Sequence, residues 1–215
     1  MIHETIINRR TVREFSGLRV GRALIEKIIE IGVHAPSASN HQNWRFIAVD
    51  NQNTLDKLVA LVNEAKKKIA SSLVDTEKDL FESYGEYFTR FNKAPVVIFL
   101  FRKVNRSLTR ICQNNVEEVI LRDIDVMEES SSLLNIGMVL QNMMLYAHEL
   151  GLGTSCLTGP LIAKKSIEKL LEVPTVWSLS ALLAIGYFNE TPKTPGRKKL
   201  EDSFFWYKDS GNDIK

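Results

Sequence analysis

The chain is poor in the features that mark several large protein classes. Cysteine occurs twice in 215 residues, at Cys112 and Cys156, far apart and without metal-ligand spacing. That excludes a disulfide scaffold and a zinc-finger pattern, and it suits two free thiols in a reducing compartment. No G-x-G-x-x-G run opens a helix after a strand, so a separate dinucleotide-binding domain finds no support. Charge of one sign is also missing. With 28 basic and 26 acidic residues the net charge is +2, too balanced to favour nucleic acid or a membrane surface. The most apolar stretch, Leu133 to Ala147, is short and is interrupted by Asn135, Gln141 and Asn142, so it is not a bilayer span. The N-terminal Met-Ile-His-Glu lacks a basic n-region followed by an apolar one. Cytoplasmic location, with no membrane or nucleic-acid partner, is the expectation.

What is present is ordinary globular material: 44% hydrophobic and 25% charged residues, in a length that suits a single domain over 1–215. Apolar periodicity predicts helices over Ile2–Arg10, over Leu24–Val33 up to Pro36, and over about Asn53–Ser72. A further helix carries the aromatic stripe Phe81, Tyr84, Phe88 and Phe91. Strands are expected at Trp44–Val49, Pro95–Phe101, Thr154–Thr158 and Val176–Tyr187, the second buried on both faces because it is continuously apolar. Segment 102–127 is heavily charged and reads as a mobile helical excursion, a possible lid. Glu129–Leu150 reads as a helix apolar around most of its circumference, hence central or at a subunit interface, closed by Gly151 and Gly153. Residues 203–215 form an aromatic C-terminal tail. The fold class is α+β, with four to five mostly antiparallel strands flanked by helices.

Four polar stretches carry the chemistry. Arg9, Arg10, Thr11 and Arg13 bring three guanidinium groups and a hydroxyl to a helix end, a donor set matched to phosphate oxygens. The Pro36–Gln42 loop offers Ser37, Ser39, Asn40 and Gln42 as donors and acceptors. Gly151 to Pro160 is rich in small residues that let backbone approach a flat ligand. Gly196-Arg197-Lys198-Lys199 is a second basic cluster. Each of these taken alone is also compatible with a solvated turn or helix end.

The ordered set R-R-T-V-R-E-F, A-P-S-A-S-N-H-Q-N-W-R-F, G-L-G-T-S-C-L-T-G and I-G-Y-F-N-E-T-P-K-T-P-G-R-K-K-L-E resembles the FMN-dependent nitroreductase family. The resemblance implies a homodimer with flavin sites at the subunit interface and the long helix in the dimer core. It implies that Arg9, Arg10, Thr11 and Arg13 hold the FMN phosphate and ribityl chain, with Arg197 and Lys198 as a C-terminal phosphate contact. Pro36, Ser37, Ala38, Asn40 and Gln42 match the loop that touches the flavin from the partner chain, and Thr158 and Gly159 match the segment near the reactive ring edge. NADH or NADPH would supply hydride, a small acceptor such as a nitroaromatic or quinone would receive it, and no catalytic side chain is implied. A flavin-binding dimer without turnover, for storage or sensing, is the alternative. The chain departs from the family pattern at Thr11, where serine is usual, and at Asn43, where proline is usual. His34 and His41 flank the loop and are either proton shuttles or simple loop residues.

Overall fold

A computed structural model describes residues 2–207, so the expected tail over 208–215 lies outside the described residues. Four strands form one antiparallel sheet: β1 (Trp44–Val49), β2 (Val96–Arg102), β3 (Gly153–Leu157) and β4 (Ser178–Gly186), in the order β1-β2-β4-β3. β2 is apolar from Val96 to Phe101, and none of those side chains is more than 3% exposed. Period-2 alternation sends them to opposite faces. Val96, Ile98 and Leu100 join Ala181, Leu183 and Ile185 on one face, while Val97, Phe99 and Phe101 join Leu182 and Ala184 on the other.

Each face has its own helical layer. The first is covered by α2 (Arg22–Gly32) and the long α6 (Glu118–Glu149), through Ile25 and Ile28 and through Ile136, Val139, Leu140 and Met143. The second is covered by α3 (Gln52–Ala70), the 3-10 segment Glu86–Lys93 and α7 (Lys164–Leu170), through Leu55, Leu58 and Val62, Phe88 and Phe91, and Ile167. The remaining helices are α1 (Ile2–Asn8), α4 (Asp75–Gly85) and α5 (Ser107–Cys112).

Two expectations are corrected, those on the aromatic stripe and on Gly153, and two are made more exact, those on segment 102–127 and on the long helix. The aromatic stripe does not run along one helix: α4 ends at Gly85 and a 3-10 segment begins at Glu86. A Cβ on Gly85 would lie 2.8 Å from the Lys66 side chain, and three residues per turn then stack Phe88 over Phe91. Segment 102–127 divides between α5 and the first turns of α6. Within one protomer α6 is not buried all round. Glu128, Ser132, Asn135, Ile136, Val139, Leu140, Met143 and Ala147 form one buried stripe, while Leu134 is 67% exposed and Leu133 48%. Gly151, at φ +74°, closes α6 in a Schellman arrangement with Gly151 N–H on His148 O and Leu152 N–H on Ala147 O. Gly153 instead begins β3.

Gly153 serves a close approach. The segment after α1 runs beside β3, with Thr11 bridging Thr154 in parallel and Val12 N–H donating to Thr154 O at 2.9 Å. Val12 is 2% exposed, and a Cβ on Gly153 would sit 2.6 Å from Val12 Cβ. Substituting Gly153→Ala is therefore expected to destabilise the fold by about 1–3 kcal/mol through overpacking. Urea denaturation tests this; unchanged stability would mean that the two segments separate freely.

Candidate functional site

The join between Val12 and β3 fixes where the arginines point. Arg9, Arg10, Thr11 and Arg13 line a cavity of about 280 Å³, closed on its other side by Pro192, Lys193, Pro195 and Arg197. The two basic clusters of the sequence thus meet. Arg10 is committed to the scaffold: its guanidinium donates to Thr194 Oγ1 at 2.8 and 3.2 Å and to the Arg9 carbonyl at 2.9 Å. It holds the 192–197 loop in place. Arg9 differs, because its Nε is buried with no hydrogen-bond partner. A buried guanidinium nitrogen without an acceptor is costly in an empty protein and is satisfied by an anion. Lys198 is exposed and does not line this cavity; Lys193, which the sequence did not single out, does.

Arg13 lines a second cavity as well, of about 300 Å³. Its other walls are Tyr84, Tyr87, Phe88 and Arg90 from the α4 and 3-10 region, and Ser155 to Gly159 from the end of β3. Thr158 and Gly159 therefore share a cavity with the arginine segment. A Cβ on Gly159 would collide with the Phe88 ring, so the smallness of that residue sets the distance between strand end and aromatic wall. Among the described residues lining either cavity there is no carboxylate and no imidazole. The field in both is positive.

The Pro36–Gln42 loop lies elsewhere. Ala38, Ser39 and His41 line a third cavity of about 290 Å³ with Asn43, Asn105, Glu128 and Asn135. Neither it nor Pro36, Ser37, Asn40 and Gln42 reaches the arginines of the same chain. The loop is under backbone strain, with Ser39 at φ 51°, Asn40 at φ 52° and Gln42 at φ 45°. Such residues cost about 1–3 kcal/mol each and persist where surroundings over-determine them. Here the surroundings are amides. Ser37 Oγ accepts from Gln42 N–H at 3.0 Å, and Asn40 Oδ1 accepts from Gln42 Nε2 at 3.1 Å. Asn135 of α6 accepts from Ala38 N–H at 3.3 Å and donates to Asn43 Oδ1 at 2.8 Å, and Asn43 Nδ2 donates to Lys103 O at 2.7 Å. Asn43 and Asn135 are 8% and 3% exposed. The interruption of an apolar helix by Asn135 was the sequence signal for this clamp.

The charged segment before α6 docks on the same helix. Glu128 accepts from Leu108 N–H at 2.9 Å and from Thr109 N–H and Oγ1 at 3.4 and 2.7 Å, so it caps α5. Arg106 pairs with Asp125 and Glu129, and Arg102 pairs with Glu129. Asn105 donates to His41 Nε2, which ties the segment to the loop. Burial alone would raise the Glu128 carboxyl, but the hydrogen bonds from Thr109 and Leu108 and the charge of Arg106 outweigh it and hold it low.

The family model for the Nitroreductase family matches residues 6–187, and the chain belongs to that family. YfhC of Bacillus subtilis, whose name assigns it only provisionally as an NAD(P)H nitroreductase, is 23% identical over 204 residues, 95% of this chain and 93% of its own length. A BluB-like flavoprotein from Clostridium difficile superposes with a TM-score of 0.86 at 25% identity, covering 97% of this chain and 99% of the other. A nitroreductase from Desulfitobacterium hafniense, solved with bound FMN, has the same fold at a TM-score of 0.69 and 19% identity, covering 96% and 98%.

Two outcomes follow from the clamp and the cap. Asn135→Ala leaves Ala38 N–H and Asn43 Oδ1 unpaired in a helix that alanine otherwise favours, and should lower unfolding free energy by about 1–3 kcal/mol in urea titrations. A depressed carboxylate stabilises the docked α5 fully above the ordinary glutamate value of 4.5, and that contribution is lost as pH falls through its lower folded value. The Leu108 and Thr109 amide resonances should shift in acid with a midpoint below the ordinary glutamate range, and the titration should vanish in Glu128→Gln.

Proposed function

We propose that the protein is an FMN-dependent NAD(P)H oxidoreductase that passes hydride in ping-pong fashion to a nitroaromatic, quinone or similar small acceptor. One observation carries this reading. A cation-lined cavity with an unpartnered buried Arg9 Nε shares Arg13 as a wall with an aromatic cavity lined by Thr158 and Gly159. A phosphate and a flat ring need those two chambers in that sequence. FMN, when bound, supplies hydride uptake from a nicotinamide donor and hydride delivery to the acceptor.

The chain's residues bind and orient. Arg9, Arg13 and Arg197, with Thr11 and Lys193, hold the phosphate by charge-assisted bonds, while Arg10 fixes the loop that carries Arg197. The positive field of the cavities favours a reduced, anionic ring.

Topology supports a homodimer. The Pro36–Gln42 loop precedes β1, at one edge of the sheet, and Thr11 pairs with β3 at the other. Trp44 aligns through Arg102 with Ser178, whereas Thr154 aligns with Ile185. Three strand spacings and seven residues along β4 put the two stretches diagonally apart by about 25–30 Å. No mononucleotide joins them within one chain, so Pro36, Ser37, Ala38, Asn40 and Gln42 would meet the flavin of a second copy. The exposed Leu133 and Leu134 of α6, and Ile2, Ile6 and Ile7 of α1, offer apolar surface for that copy.

The purified protein should be yellow and should bleach within seconds on anaerobic NADH or NADPH. A yellow protein that neither donor reduces would favour a binding dimer without turnover. Arg9→Ala and Arg197→Ala should each weaken FMN affinity by about tenfold or more, the worth of one charge-assisted bond; unchanged affinity in both would refute the phosphate assignment.

A further inference from the structure

The aromatic cavity holds more positive charge than a phosphate at its far end requires. Arg13 lines both cavities, but Arg90 lines only the aromatic one. Both guanidinium groups lie over the Tyr87 ring, Arg90 at 4.4 Å from its centroid and Arg13 at 5.8 Å. Arg90 is half-buried, and among the described residues it has no hydrogen-bond or ion-pair partner. The neighbouring carboxylate, Glu14, is already engaged: both of its oxygens accept from Lys93 Nζ at 2.8 Å. The aromatic wall is open to solvent. Tyr84 is 68% exposed and Tyr87 48% exposed, and Tyr84 meets Phe88 edge-to-face at 5.6 Å.

We propose that the mouth of this chamber, outside the space the flavin ring would fill, selects acceptors that are flat aromatic anions, with the carboxylate or equivalent group bound by Arg90 and the ring packed against the exposed Tyr84 and Tyr87. The inference rests on the oxidoreductase reading for its place in turnover, and it deepens that reading by naming the substrate class. Guanidinium stacked on an aromatic ring keeps its in-plane N–H donors free, so Arg90 accepts a carboxylate edge-on without leaving Tyr87. The aromatic walls supply the apolar contact and edge-to-face geometry that a ring prefers. A neutral acceptor of the same shape gains only the second part.

Benzoate and benzamide separate the two contributions, since they share shape and differ in charge. Calorimetric titration of the FMN-loaded protein should give benzoate a dissociation constant about tenfold or more below that of benzamide, as expected of one charge-assisted contact. Arg90→Gln should bring the two within about twofold, with benzamide binding unaltered, and Arg90→Lys should restore part of the preference. Adenosine monophosphate, titrated in parallel, tests whether the cation serves the donor's phosphates instead. A preference absent from the wild type, a preference that survives in Arg90→Gln, or a loss confined to adenosine monophosphate would each overturn the proposal. Repeating the benzoate pair on protein that has not been given FMN keeps this result separate from the cofactor reading, which FMN titration decides on its own.

Discussion

The molecule is organised by the burial of β2. Its side chains from Val96 to Phe101 are removed from water on both faces, so its backbone must be paired on both sides and its faces must be covered by two helical layers. β1 and β4 supply the pairing, α2 and α6 one cover, and α3, the 3-10 segment and α7 the other. A four-stranded sheet built outward from such a strand has only two edges at which polar groups can gather without disturbing the core. The functional stretches lie at those edges, the arginine segment beside β3 and the strained loop ahead of β1.

That placement turns a question about cofactor binding into one about assembly. An exposed sheet edge is a hazard, and a short covering segment is one way to manage it. The segment Thr11–Val12 covers β3 through the Val12 amide and its contact with Gly153, and in doing so it carries three arginines to one cavity, of which Arg13 also lines the aromatic chamber. The same contact that protects the edge thereby builds the cation-lined cavity. At the opposite corner the cavity beside the loop is lined by amides, hydroxyls, His41 and Glu128 and, among the described residues, by no lysine or arginine. Apolar residues of α1 and α6 remain exposed.

Much of this is legible in the residues, and the illegible part has physical causes. β1 has the bounds Trp44–Val49 expected of it, and β2 is recognisable from its unbroken apolar run. The break at Gly85 is not, because Phe81, Tyr84, Phe88 and Phe91 satisfy a continuous helical period. Gly153 looks like a second helix stop beside Gly151, and its real constraint comes from Val12, more than a hundred residues earlier. Lys193 is favoured over Lys198 as a cavity wall by the fold of a proline-flanked loop that Arg10 pins through Thr194. Composition and ordered motifs locate the chemistry, but pairwise contacts across long separations choose which neighbour performs it.

Asn43 sharpens that distinction. Proline is usual after the loop glutamine in proteins that resemble this one, and proline stiffens a chain by locking its own φ. Asn43 stiffens it differently. Its amide spans from Lys103, at the end of β2, to Asn135 on α6, and Asn135 in turn receives the Ala38 N–H. Three left-handed non-glycine residues in four positions carry local bonds from Gln42 to Ser37 and Asn40, while a buried side-chain network anchors the loop at Ala38 and Asn43. Such a network is cooperative, so that losing one amide strands the others. The consequence is a coupling that proline would not provide: the loop geometry depends on the position of α6, and α6 through Glu128 also carries the docked α5. Loop, helix and charged segment are therefore joined by hydrogen bonds into one corner.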